Sequence, residues 1–280
     1  MKCDSPFFVT SARGERVPVP CGKCAPCKMR RVNEWVFRLM EEEKHSSSAH
    51  FVTLTYDTTH VPISENGFMT LRKSDFQDYM KRLRKLCPDV TLKYYCAGEY
   101  GTQNKRPHFH AIVFNCPDSQ HFFDAWKLDG KHLGTIHVGK VTSDSVAYTM
   151  KYIDKATFRK THSRDDRVPE FALMSKGLGA CYLSNEVKRF HKSNIGDLFV
   201  TKLSGHKVPM PRFYRNKIFT ESEKEQQLGI VQAAILKQET NERKMWFNEL
   251  SQYMTYEEYQ DKCRQGRSTR FYNNQNQRKI

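Results

Sequence analysis

The residues best equipped for chemistry lie in Arg106-Pro107-His108-Phe109-His110-Ala111-Ile112-Val113-Phe114. From His108 onward they alternate with the period of a β-strand. That geometry puts His108, His110, Ile112 and Phe114 on one face and Phe109, Ala111 and Val113 on the other. Two imidazoles two residues apart on a strand point the same way, close enough to share one metal ion. Glu99 lies nine residues upstream, at the end of the preceding expected strand. If the two strands pair as a hairpin, its carboxylate comes round to the same place. Two nitrogens and a carboxylate leave coordination positions open, as a catalytic metal requires. A carboxylate in the set suits Mg²⁺ or Mn²⁺ as well as Zn²⁺.

Further along, Tyr148-Thr149-Met150-Lys151-Tyr152 falls in a stretch with helical periodicity. At about 100° per residue, Val146, Ala147, Met150 and Ile153 share one side, and Tyr148, Lys151, Tyr152 and Lys155 the other. Tyrosines kept only for packing belong on the apolar stripe; here they share a polar face with two lysines. A phenol of pKa about 10 is a poor nucleophile at neutral pH. A nearby ammonium, and a metal neutralising the phosphate under attack, would both help it. A phosphotyrosine ester conserves the energy of the cleaved phosphodiester, so a strand so held can be rejoined without ATP. Two phenols one helical turn apart could take turns, one holding a strand while the other cuts.

A third group is Cys21-Gly22-Lys23-Cys24-Ala25-Pro26-Cys27, with Cys3 upstream. Cys-x2-Cys is a tight knuckle that wraps two thiolates round one tetrahedral ion. Cys27 or the distant Cys3 could complete a four-sulfur structural Zn²⁺ site; the competing reading is a redox or incidental cluster. Residues 1–10 carry no basic-plus-apolar leader pattern. No run approaches the roughly 20 apolar residues of a membrane helix. A reducing cytoplasm is therefore expected, with thiols available for metal rather than for disulfides.

Lys and Arg number 46 against 31 Asp and Glu, a net charge of +15 over 280 residues. That balance favours a polyanion, nucleic acid before membrane. Arg106 ahead of the His strand and Lys155 on the tyrosine face are cations placed to meet DNA phosphate. Arg30 and Arg31, on an amphipathic helix expected over residues 28–45, either touch phosphate or form a solvated face. Residues 151–217 hold 15 Lys and Arg against 6 Asp and Glu, with aromatics interspersed. Charge plus stacking surface suits a nucleic-acid track.

These residues need elements to position them. Strands are expected at 51–55, 91–97, the His segment and 135–141. One helix is capped by Ser74 with Gln77, and the tyrosine helix by Ser143 or Asp144. The order implies an α+β fold: an antiparallel β-sheet with flanking helices, over residues 48–160. Residues 1–47 form a Cys-rich segment and basic helix. Residues 161–280 form a basic, partly helical region, with helices opening at Thr220 and Thr255 and a flexible arm from Arg264.

His108-Phe109-His110, Tyr148-x-x-Lys151-Tyr152 and the upstream Thr53-Leu54-Thr55 strand resemble the three motifs of the HUH superfamily of rolling-circle replication initiators. The resemblance is to the initiators of small single-stranded DNA bacteriophages, the microviruses, in particular the gokushovirus type. That type also opens with a Pro-Cys-Gly-Lys-Cys-x-x-Cys segment and a basic, Trp-containing helix, as residues 20–35 do here. The likeness covers residues 3–160 by motif, with patches at 177–179 and 208–214. It implies an RRM-like HUH endonuclease fold that nicks the origin of a duplex replicative form. His108 and His110 would hold the divalent ion, with Glu99 as third ligand. Tyr148 and Tyr152 would be alternating nucleophiles that keep the 5′ phosphate and release a 3′ hydroxyl. Lys151 would contact phosphate or depress a tyrosine pKa. Partners would be single-stranded and duplex origin DNA with a host helicase and polymerase, in the cytoplasm of a bacterial host. No Gly-x4-Gly-Lys-Ser/Thr is present, so strand separation falls to that helicase.

Three rivals remain. A histidine-triad nucleotide hydrolase needs a third His two residues after His110, and position 112 is Ile. A relaxase of the same superfamily also carries paired tyrosines. A non-catalytic, zinc-bearing DNA-binding protein explains the charge and the cysteines but leaves the tyrosine face without a role.

Overall fold

A computed structural model of the chain describes residues 3–10, 14, 16–101, 103–154, 162–202 and 205–277, leaving aside the side chains of 143, 151–154 and 274–277. Its contacts fall into two compact units, Trp35–Cys181 and a second formed by Met1–Glu34 with Tyr182–Lys279.

The first unit is built on one antiparallel sheet. Strands β1 (Ala49–Thr55), β2 (Lys93–Tyr100), β3 (Pro107–Phe114), β4 (Ile136–Lys140) and β5 (Phe171–Met174) lie in the order β4-β1-β3-β2-β5. The expected α+β class is therefore the observed one, with β5 as an unforeseen edge strand. The His strand, β3, is central, which explains why its apolar positions are buried on both faces. Helix α1 (Ala25–Lys44) brings Trp35 against Tyr95, ring centroids 5.0 Å apart. The opposite face, with Val52, Leu54, Cys96, Phe109, Ala111 and Val113, is covered by α2 (Lys73–Leu86) and α3 (Gln120–Ala125). Helix α4 (Ser143–Asp154) carries the tyrosines.

Phe109 is fully buried where Tyr56, Phe76, Trp126 and Phe171 converge, with centroids 5.5–6.3 Å away. Truncating such a ring removes apolar contacts and leaves a cavity. Phe109→Ala is expected to cost about 3–5 kcal/mol, read as a lowered urea midpoint with unchanged slope.

Two helix starts differ from expectation. Arg72, in extended conformation and without a side-chain cap, precedes α2, so Ser74 sits inside the first turn. Tertiary contacts set this entry: Leu71 is buried and its N–H donates to the Tyr100 hydroxyl at 3.0 Å. Thr142 rather than Ser143 or Asp144 caps α4, exchanging bonds with Ser145 at 2.8 and 3.1 Å. Between α3 and β4 the chain passes so close to β1 that a Cβ on Gly134 would lie 2.0 Å from the Thr55 carbonyl. Only glycine fits there.

The second unit holds two short hairpins, Phe7–Thr10 with Arg16–Val19 and Phe199–Thr201 with Lys207–Pro209. Its helices are α5 (Asn185–Ser193), α6 (Arg212–Ile218), α7 (Glu221–Glu249) and α8 (Tyr256–Gln277). Thr220 and Glu223 form the expected capping box, and Thr255 and Glu258 another. The expected flexible arm from Arg264 is instead helix as far as Gln277. Two contacts anchor it: Phe271 is buried, and Arg267 Nε donates to Asp4 at 3.1 Å. No helix among the described residues is long and apolar enough to cross a membrane.

Candidate metal centre and the tyrosine helix

Register builds the site. β3 pairs His108 with Glu99 of β2 and Thr55 of β1, and His110 with Ala97 and Thr53. Residues directly opposite share a face, so Glu99 and His108 project to one side and His110 joins them. Glu99 Oε1 lies 2.5 Å from His108 Nε2 and 2.7 Å from His110 Nε2. Each ring is also held by its other nitrogen. His108 Nδ1 donates to the Arg106 carbonyl at 3.1 Å, and His110 Nδ1 meets the Thr53 hydroxyl at 3.0 Å. Such outer contacts orient Nε2 toward an ion.

Glu99 is 3% exposed and His110 7%. The second carboxylate oxygen of Glu99 is buried and has no hydrogen-bond partner among the described residues. An unsatisfied buried carboxylate oxygen is costly. A divalent cation would satisfy it, and the donor set of one hard oxygen and two imidazoles fits Mg²⁺, Mn²⁺ or Zn²⁺. Burial pushes the Glu99 carboxyl up, but the hydrogen bonds from His108 and His110 outweigh it and hold it below its ordinary value. For His108, burial works downward and is outweighed by Glu99, leaving the imidazole raised. For His110 burial prevails, and it is lowered. The two imidazoles are thus not equivalent.

Helix α4 reaches this face. The Tyr148 ring stands edge-on to His110, with centroids 5.2 Å apart at 82°. Val146, Thr149 and Met150 are fully buried and fix the helix, leaving Tyr148 only half-buried. Lys151 and Tyr152 belong to α4 but their side chains lie outside the described residues, as Lys155 does altogether. Arg106 directs its guanidinium to the Tyr56 carbonyl and Thr58 hydroxyl, at 3.0 and 3.1 Å. It therefore also ties the loop after β1 to the start of β3.

In the second unit, Cys3, Cys21, Cys24 and Cys27 offer sulfurs all within 4.8 Å of one another, so Cys3 joins the knuckle. Cys3 and Cys24 are 3.8 Å apart, about the edge of a tetrahedron with 2.3 Å zinc–sulfur bonds. The N–H groups of Lys23 and Cys24 point at the Cys21 sulfur, at 3.4 and 3.3 Å. Burial raises that thiol, yet these amides and the neighbouring thiols bring it down to about 6. Arg31 reaches the Gly22 carbonyl at 3.5 Å, bracing the knuckle. Arg30 lies one residue before it on α1, half-buried.

Comparison with known proteins now bears on these residues. A family model for the replication-associated protein ORF2 matches residues 49–157, the stretch holding Glu99, His108, His110 and Tyr148. The replication-associated protein ORF2 of Spiroplasma virus 4 is 30% identical, over 72% of this chain and 68% of its own. The chain belongs to the microvirus replication-associated protein family. Other relatives are replication-associated protein VP4 of Bdellovibrio phage phiMH2K and ORF4 of Chlamydia phage 1. VP4 is 28% identical over 70% of this chain and 66% of its own; ORF4 is 24% identical over 71% and 53%. No solved structure matches the chain.

In this replication-associated protein the sequence alone misses what surrounds the imidazoles. Phe51 stacks on His110, with centroids 5.5 Å apart at 14°. Glu170, at the approach to β5, accepts from the Tyr100 N–H and adds negative charge near His108. Thr53 could have been read from the Thr-Leu-Thr strand once its register with His110 was assumed; Glu170 has no local signal.

Proposed function

We propose that this replication-associated protein initiates rolling-circle replication by nicking the viral replicative form at its origin through tyrosine transesterification. The Tyr148 oxygen attacks the scissile phosphorus, and the bond from phosphorus to the 3′ oxygen breaks. The phenolic proton ends on the freed 3′ hydroxyl, which primes a host polymerase, while the 5′ phosphate stays on the protein. Tyr152, four residues on in the same helix, repeats the attack on the regenerated origin, and the 3′ hydroxyl released in that step reverses the first ester to close the strand. A divalent cation held by Glu99, His108 and His110 would neutralise charge on the phosphate. Lys151 and Lys155 add positive charge on the same helical face. The four cysteines hold structural zinc, and the basic surface binds single-stranded and duplex origin DNA while a host helicase opens it. The action takes place in the cytoplasm of a bacterial host.

The observation that carries the reading is the contact of a phenol-bearing helix with one of two imidazoles that share a buried carboxylate. Non-catalytic DNA binding does not call for that grouping. To test it, single-stranded oligonucleotides tiling the viral genome are incubated with the chain and Mn²⁺. One of them should yield a denaturation-resistant adduct, mapped by mass spectrometry to Tyr148 or Tyr152 and lost on chelation. Binding without any adduct across the whole set would overturn the proposal and leave a non-catalytic DNA-binding protein.

A further inference from the structure

A second thiol cluster lies at the opposite end of β3 from the candidate metal centre. Six residues of strand, about 20 Å at 3.3 Å each, separate His108 from Phe114. Just past Phe114, Asn115 turns the chain with a φ of 66° and presents Cys116 beneath the helices. Cys87, at the C-terminus of α2, and His121, in the first turn of α3, meet it there. Cys87 Sγ is 4.0 Å from Cys116 Sγ and 3.3 Å from His121 Nδ1. All three candidate ligand atoms lie within 4.8 Å of one another.

We infer that Cys87, Cys116 and His121 form a thiolate-rich metal site that holds zinc or a similarly soft divalent ion. Tetrahedral zinc places sulfur about 3.8 Å from sulfur and about 3.5 Å from nitrogen across its edges, close to the separations observed. Two thiolates and one imidazole are the donors such ions prefer. Both cysteines are buried, at 4% and 0% exposure, and neither is joined in a disulfide. His121 is only half-buried, so the fourth coordination position faces solvent. As each sulfur binds, its S–H bond breaks and a proton leaves to water. The ion would tie the end of α2 to the end of β3 and the start of α3, segments 29 to 34 residues apart. It is a structural staple on the core side of the sheet, independent of the nicking chemistry.

Cobalt titration of the metal-stripped, reduced full-length chain tests this. Only thiolate ligands give the near-ultraviolet sulfur-to-cobalt absorption, so the His108, His110 and Glu99 site is silent in this assay. The His121→Ala chain should bind one thiolate-bound cobalt fewer than the unmodified chain, while keeping its circular dichroism spectrum. His121 is partly exposed, so the substitution leaves the core packing alone. Cys87→Ser, the second variant, should lose the same equivalent. Equal cobalt equivalents in the unmodified and His121→Ala chains would overturn the site. So would a Cys87–Cys116 disulfide in the protein purified under reducing conditions, seen as a linked peptide pair.

Discussion

Tyr148→Phe combined with Tyr152→Phe is expected to abolish the covalent adduct and lower nicking by at least about a thousandfold. The double variant removes two hydroxyls and little else. Phenylalanine at 148 keeps the ring that meets His110 edge-on, and Val146, Thr149 and Met150 still anchor α4. The unfolding midpoint should therefore stay close to that of the unmodified chain, which separates lost chemistry from lost fold. DNA affinity and its salt dependence should also survive, because lysine and arginine contacts to phosphate set them. Each single variant then divides the roles. Losing the tyrosine that cuts first stops nicking; losing the other leaves a nicked complex unable to pass the strand on. An adduct persisting in the double variant would mean a different nucleophile. Undiminished nicking without an adduct would mean water, and either result removes the phenols from the reaction.

How much of this was legible depends on the range over which each signal acts. Alternation from His108 to Phe114 is local, and the faces it implies are those observed, with Phe109, Ala111 and Val113 in the core under α2 and α3. Glu99 was readable because only six residues separate Tyr100 from Pro107, so the strands had to pair as a hairpin and bring position 99 opposite 108. Helix α4 was readable from its stripe. Edge strand β5 was not: four half-buried or exposed residues, Phe171–Met174, carry no alternation. They become a strand because β2 offers an unpaired edge. The start of α2 was misread for the same reason, since Leu71 and Tyr100 set it from afar. The Cys87, Cys116 and His121 grouping has no spacing signature either. Its members come from the ends of three elements, and only the packed sheet brings them together.

The carboxylate offers the sharper test of the ion. Glu99→Gln is expected to weaken Mn²⁺ binding by calorimetry at least about tenfold and to lower cleavage at least about a hundredfold at fixed metal. Glutamine has the same shape and keeps one oxygen acceptor, but it brings no charge to a nearly dry pocket. The attraction lost is large there because water does little to screen it. His110→Ala would be harder to read, since removing that ring also empties space between Phe51 and Tyr148. Glutamine leaves both aromatic contacts in place. It also relieves the unsatisfied second oxygen of Glu99, so the metal-free chain should be no less stable than before. Raising the Mn²⁺ concentration should then restore part of the cleavage in Glu99→Gln and none in the double tyrosine variant. That difference distinguishes a group that holds the ion from one that attacks the phosphate. An Mn²⁺ dependence unchanged by Glu99→Gln would place the ion elsewhere, and the buried carboxylate would then serve only to lock two histidines at the mouth of the sheet.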